Sequence, residues 1–426
     1  MTKARTSFSA ALGRSVLALG LGVAVAGCAT QRLNSARAQF YSGHLDQAEE
    51  SLNAERSPRR DQVLFLMEQG TVRQARGDYE RSSRDFIDAY DRLVQLETYS
   101  VSRGAGSLVV NDTIRDFVGA PFERTLLHAL TAQNHLSLGH WDNAAVEARR
   151  IMQSLADENR RNYPDEPYSR YMAGLALELI DDPSNAALQY RRANELLPHL
   201  EIDPDTGRLS HAQPPDDDKE IHGAWPILPD TDSRPPSPDH DHELIVVVQL
   251  GRSPRGWQSI RSAPNHTAPV YAEIHADGEY LGRTYNLSDV AALMAETKRV
   301  TALREAGKAV ARFATKEGIA VAVESSSDSP WAGDLVRLIL FGLLEQPDDR
   351  RWETLPRYFQ IARVPAPPDL GSYTVVVKGS SGNTIRSFDV DGPLQRRRHQ
   401  IISFARDITD TPPALKSSGV PSIPTQ

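Results

Sequence analysis

The chain has 426 residues, with 48 basic and 56 acidic side chains, a formal charge of −8 and 40% hydrophobic residues. That length implies two or three domains with ordinary cores, and the acidic balance argues against nucleic acid, whose phosphates it would repel. A single cysteine excludes an intrachain disulfide.

The predicted elements begin with a leader. Lys3, Arg5 and Arg14 form a basic start, and residues 16–27 form an apolar stretch of 12. That stretch is too short to cross a bilayer and has the length of a secretory signal. Val25-Ala26-Gly27 brings small residues up to Cys28, the one thiol in the chain. Cleavage at that point leaves residues 28–426, where 45 basic against 56 acidic residues give −11. The leader resembles the bacterial lipobox. The resemblance implies that the Cys28 sulfur takes a diacylglyceryl group and that Cys28 becomes the first residue. Its new amine is then acylated. Two or three acyl chains hold a protein to a membrane where one would not. Ala29 follows, not Asp, and in Gram-negative lipoproteins this implies the outer membrane, here its periplasmic face.

A repeat follows over about residues 32–200. Gly43-His44-Leu45 precedes Ala48 and Leu52; Gly77-Asp78-Tyr79 precedes Ser82, Phe86 and Ala89. Gly139-His140-Trp141 precedes Ala144, Ala148 and Ile151, and Asp181-Asp182-Pro183 precedes Ala186, Tyr190, Ala193 and Pro198. The first two turn glycines are 34 residues apart. The pattern resembles the tetratricopeptide repeat, which implies antiparallel helix pairs over 28–200 stacked as an α solenoid with a concave binding face. In the fourth unit Asp181 stands where the pattern has Gly, and Pro183 where it has an aromatic.

The second and third turns are 62 residues apart, so an insertion lies near 97–124. It holds Gly104-Ala105-Gly106-Ser107, Asn111, Asp112, Arg115, Asp116, Phe117, Phe122, Glu123 and Arg124. This segment, like Arg350-Arg351-Trp352-Glu353-Thr354-Leu355-Pro356 further on, resembles a poorly characterised family of proteobacterial outer-membrane lipoproteins. Asp112 can cap a short helix. The charges form either a partner site beside the solenoid groove or a solvated rim around a plug of Val109, Val110, Phe117 and Phe122. Candidate partner-binding residues are Asn111, Asp112, Arg115, Asp116, Arg124, Arg351 and Trp352.

Residues 201–241 are poor in apolar side chains and rich in Pro and Asp, which predicts a disordered acidic spacer. Asp239-His240-Asp241-His242-Glu243 carries metal-ligand types, but adjacent ligands on an extended chain rarely meet on one ion. No metal or cofactor is expected.

Residues 242–408 predict an α+β domain with an antiparallel sheet, or a small sandwich. Leu244 to Leu250 reads as a buried strand, and Asp277-Gly278 as a type I′ hairpin turn. Ser288 is expected to cap a helix that runs to about residue 313. A strand at 319–323 and a helix at 334–345 follow. Strands are then predicted at 358–364, 373–378, 385–390 and 399–404, and a Pro- and Ser-rich tail from 409. Trp352, with Arg350 and Arg351, either grips a carboxylate, a glycan or a partner aromatic, or plugs the end of the sheet while the arginines meet Asp348 and Asp349. Arg396-Arg397-Arg398-His399 is a basic spot, read as a solvated turn or a contact for anionic groups.

HExxH, GxSxG and P-loop patterns are absent from the sequence. The expectation is a lipid-anchored, non-enzymatic interaction scaffold with an envelope protein as partner and no nucleic acid. The alternative is a glycan-binding or hydrolytic C-terminal domain with Trp352 exposed in a groove.

Overall fold

The computed structural model describes residues 30–52, 57–102, 116–212, 241–254, 270–303, 350–392 and 394–408. The leader with Cys28 lies outside them, as do Asn111, Asp112, Arg115, residues 213–240, the elements predicted at 319–323 and 334–345, and the tail. Two compact units cut across chain order. One takes residues 1–76, 84–119 and 307–352, and the other 77–83, 120–306 and 353–426.

Helix pairs build the first half of the chain. The first unit holds α1 (residues 30–41), α2 (Leu45–Ser51), α3 (Gln62–Ala75) and α4 (Tyr79–Ser102) from residue 84 on. The second holds α5 (Pro121–Ser137), α6 (Trp141–Arg160), α7 (Pro167–Glu178) and α8 (Pro183–Glu195).

The turns between partners repeat in backbone detail. Gly43, Gly77, Gly139 and Asp181 have φ of 81°, 78°, 70° and 65°. The next residues His44 and His140 share φ −87° and ψ 67°, and Asp182 has −109° and 68°. In three turns this residue's N–H reaches the carbonyl five back: His44 to Gln39, His140 to His135 and Asp182 to Leu177, at 2.8–3.0 Å. This is the closing bond of a Schellman turn, which needs one left-handed residue. Asp181 supplies it without being glycine, and the Asp182 carboxylate caps α8 by accepting from the Asn185 N–H. The fourth unit is therefore a full repeat. Asp181→Gly is expected to leave stability within about 0.5 kcal/mol of wild type, whereas Asp181→Ala should cost about 1 kcal/mol, read as urea midpoints.

Five positions after each turn lies a buried small residue: Ala48, Ser82, Ala144 and Ala186. Nine positions after it lie Leu52, Phe86, Ala148 and Tyr190, all buried. Seven before it lie Ala36, Gly70, Ala132 and Gly174. Glycine occurs where the later residue is a ring and alanine where it is Leu or Ala. An ideal Cβ at Gly70 would sit 2.4 Å from Phe86 Cε1, and one at Gly174 would sit 2.7 Å from Tyr190 Cε1.

The predicted spacer starts later than residue 201. β1 (Leu200–Ile202) and β2 (Leu209–His211) form an antiparallel ribbon. Asp203 closes its turn by accepting from the N–H groups of Asp205 and Thr206 at 3.0 and 2.8 Å, and the Ile202 N–H donates to Asn194 Oδ1 at 2.7 Å.

The remaining strands make two sheets. They are β3 (His242–Leu250), β4 (Tyr271–Ala276), β5 (Glu279–Arg283), β6 (Tyr285–Asp289), β7 (Tyr358–Ala366), β8 (Ser372–Lys378), β9 (Thr384–Asp391), β10 (Gln395–Arg397) and β11 (Gln400–Arg406). Their orders are β10-β11-β3-β7-β6 and β5-β4-β8-β9. One core joins Leu244, Val246, Val248, Ala362, Val364 and Ile401 of the first with Ala272, Ile274, Leu281, Val375 and Val377 of the second. The domain is thus a sandwich, as one reading expected. The antiparallel expectation needs correction at one pair: β3 and β11 run parallel, from Glu243↔Gln400 to Gln249↔Arg406.

Asp277 (φ 50°) and Gly278 (φ 82°) make the predicted hairpin turn. The helix after β6, α9 (residues 290–303 as described), is capped by Asp289, whose Oδ1 accepts from the Ala291 N–H at 2.8 Å. Ser288 does not cap it; its hydroxyl binds Glu166.

Candidate functional site

The first helix of each pair would line a solenoid's concave face. In the second unit, α5 and α7 are buried along nearly their whole length, not exposed on one side. The cause is the five-stranded sheet, since α5 touches β11 and α7 touches β6. Tyr168 stacks on Phe359 with ring centroids 4.3 Å apart. Gln133 Oε1 accepts from the Tyr168 hydroxyl at 3.0 Å and from Gln249 Nε2 at 2.9 Å. The apolar run of β3 is therefore covered on both faces, which a continuous Leu-Ile-Val-Val-Val strand requires.

Arg363 on β7 is the electrostatic centre of this contact. Its side chain is 2% exposed and donates to Glu178 at 2.9 and 3.0 Å and to Glu243 at 2.6 and 3.0 Å. Tyr190 and Gln400 also bind Glu178, and Arg208 donates to Glu243 at 2.8 Å. Burial pushes the Glu178 carboxyl up, but the hydrogen bond and charge of Arg363 outweigh it and hold the group below its ordinary range. Glu166 caps α7 by accepting from the N–H groups of Tyr168 and Ser169 at 3.1 and 2.6 Å. Burial pushes its carboxyl up, ahead of the opposing bonds from Ser169, Ser288 and Tyr168.

The basic spot also lies in this unit and is not a bare solvated turn. Arg398 pairs with Asp181 at 2.5 Å, Arg397 lies over the Trp141 ring at 5.6 Å, and Arg396 donates to the Leu370 carbonyl. Glu243, from the acidic-histidine run, is engaged by arginines. Among the described residues no group of three His, Cys, Asp or Glu is placed to hold a metal. Among them, too, no helix is long and apolar enough to cross a membrane.

The first unit treats its inner helices similarly. Trp352 is 1% exposed, its Nε1–H donates to Thr71 Oγ1 at 2.8 Å, and its ring meets Phe86 edge-on at 5.6 Å and 61°. The expectation of an exposed Trp352 gripping a glycan or partner is corrected: a wholly buried ring cannot present a surface. It plugs the helix pair α3–α4 and not the end of the sheet. Arg350 pairs with Asp61 at 2.6 Å, an acid 289 residues away. The main-chain carbonyl of Arg351, which is half-buried, accepts from Arg37 Nη2 at 2.7 Å.

Of the insertion residues, Asp116 and Arg124 are half-buried. Phe117 and Phe122 are buried, as a plug requires. Glu123 is no solvated rim charge: it is buried, and its Oε2 accepts from the Ala120 N–H at 2.7 Å to cap α5. Sequence reasoning missed Arg363, although an arginine inside an otherwise buried strand signals that carboxylates must meet it. Thr71 and Arg37 carried no such signal.

No protein-family model matches the chain, and no curated protein matches it. Several solved structures align with part of it, two of them as follows. MamA of AMB-1 shares 13% identity over 40% of this chain and 73% of its own, with a TM-score of 0.25. BtubC (BKLC) from P. vanneervenii shares 15% identity over 40% of this chain and 54% of its own, with a TM-score of 0.23. Overlap at that level carries no argument, so the helix-pair repeat stands on its four left-handed turns and on the matched residues around them.

Proposed function

We propose that this chain is a lipid-anchored scaffold for protein–protein contacts at the periplasmic face of the outer membrane, and not an enzyme. The observation that carries the reading is the helix pair repeated with the same left-handed turn within each unit, an architecture that suits extended partners. The lipobox-like approach to Cys28 supports the anchor. Because α5 and α7 are spent on the chain's own sheet, partner contact in this unit falls to its second helices, α6 and α8. Val146 on α6 and Leu188 on α8 occupy equivalent repeat positions and are each 43% exposed. Arg149 and Arg191 follow them at equivalent exposed positions. This apolar and basic surface fits a partner with an acidic, partly apolar face.

The test is crosslinking in cells followed by mass spectrometry, with Arg149→Glu/Arg191→Glu and Cys28→Ala variants. A partner recovered from wild type should be lost with the charge reversals. Cys28→Ala should abolish labelling by a palmitate analogue and release the protein from membranes. A wild type that stays in the soluble fraction with an unmodified thiol sinks the anchor, and a partner retained by the reversed surface sinks the outer face.

A further inference from the structure

The inner side of the first helix pairs holds a short piece of chain much as a receptor holds a peptide. Arg37, Asp61, Glu68, Thr71, Phe86 and Phe117 wall it, and the three residues it grips are Arg350, Arg351 and Trp352. Each contact reads a different feature. Asp61, buried, takes the Arg350 guanidinium at 2.6 Å; the Arg60 carbonyl accepts from it at 3.3 Å, and the Phe117 ring lies 5.7 Å beneath it. Arg37 reads the main chain through the Arg351 carbonyl. It is held for that task by fully buried Glu68, which accepts from its Nε and Nη2 at 2.8 and 2.6 Å. A fixed guanidinium aimed at a carbonyl recognises backbone whatever the side chain. Thr71 donates its own hydroxyl proton to the Met67 carbonyl at 3.0 Å, which leaves an oxygen lone pair for the Trp352 indole N–H. Phe86 supplies the edge-to-face wall.

We propose that this groove is a peptide-recognition site for an Arg-any-Trp segment, filled in this structure by the chain's own residues 350–352. The occupant it is built to exchange with is an extended stretch of a partner protein carrying arginine two residues before tryptophan. Charge favours that class, since Asp61 receives the ligand's arginine while Glu68 is neutralised by Arg37. The tethered segment competes at an effective concentration on the order of millimolar, so the groove of the resting protein is closed to weak ligands. The inference deepens the scaffold reading by naming a ligand class. Its failure would leave the anchor and the outer face of that reading standing.

The test uses the full chain and a fluorescein-labelled peptide spanning residues 347–356, with a second peptide in which alanine replaces the tryptophan. Trp352→Ala removes the buried ring that packs on Phe86 and bonds Thr71. It is expected to bind the first peptide about tenfold or more tighter than wild type does, and to melt higher in its presence. The alanine peptide should do neither, and adding Asp61→Asn should weaken binding about tenfold. A folded Trp352→Ala protein that binds no better than wild type, or that binds both peptides alike, overturns the proposal. Should Trp352→Ala fail to fold, Trp352→Phe keeps a ring in the pocket and removes only the bond to Thr71. Peptide binding above wild type by that variant supports the site, and binding equal to wild type overturns it.

Discussion

Gly70→Ala is expected to destabilise the protein by about 1–3 kcal/mol, even though alanine favours a helix over glycine by about 1 kcal/mol. The added methyl would lie 2.4 Å from Phe86 Cε1 and 2.6 Å from Cδ1. The ring has no room to retreat, because its edge-to-face partner Trp352 is itself buried. Overlap therefore outweighs propensity. The first repeat shows the remedy, with Ala36 and Leu52 at the same two positions. Phe86→Leu alone should also destabilise, by leaving a cavity. Gly70→Ala with Phe86→Leu should cost less than the two single changes summed, by about 1 kcal/mol or more. Urea midpoints of the four proteins settle it: strict additivity would mean that the two positions are not size-matched. Gly174→Ala should behave like Gly70→Ala, since Tyr190 is pressed from its other side by Gly207, where a Cβ would lie 2.6 Å from Tyr190 Cζ.

Arg363→Met should cost about 3–5 kcal/mol, because it leaves two carboxylates without their buried cation. Arg208 still reaches Glu243, but its side chain is 65% exposed and compensates little. Arg363→Met/Glu178→Gln/Glu243→Gln should recover most of the loss, since the removal of both sides of a buried pair is cheaper than the removal of one. The pH dependence has a definite sign. In wild type, Arg363 outweighs burial and holds Glu178 below its ordinary range. Its contribution is then present above the unfolded pKa and lost as pH falls through the lower folded value. In Arg363→Met burial, the largest single cause, is opposed only by the bonds from Tyr190 and Gln400, so the folded carboxyl prefers its proton. Stability from this site should then rise as pH falls and be lost as pH rises through the raised value. The gap between the two proteins should therefore narrow from about pH 7 to about pH 4. Glu166, which burial pushes up, favours acid in both proteins and cancels in the comparison. A gap that widens in acid would refute the assignment of Arg363 as the group holding Glu178 ionised.

Much of the local structure was legible in the residue order. Glycines followed five residues later by a small side chain marked three turns, and the matching fourth pattern marked Asp181. Each turn depends on one left-handed residue and bonds within six positions, all of which lie next to one another in the chain. Asp277-Gly278 was legible for the same reason. Ser288 was misread as a cap because Asp289, one residue on, is an equally good acceptor, and only the direction of β6 decides between them. Glu123 was misread as a solvated charge because its partner is a backbone N–H three residues earlier, a bond that exists only if α5 starts at Pro121.

The chain's own order thus determined where backbone reverses, where helices pair and which faces need cover. What supplied the cover was a tertiary decision. The run Leu244–Val248 demanded apolar neighbours on both sides, but burial is non-directional and names no partner. Only the folded protein shows that the second sheet takes one side and the inner repeat helices the other. The same holds for Trp352: its size required a pocket, and the groove beside Thr71 and Phe86, 281 residues away for the hydroxyl it binds, is chosen by shape and by one lone pair that no local pattern announces.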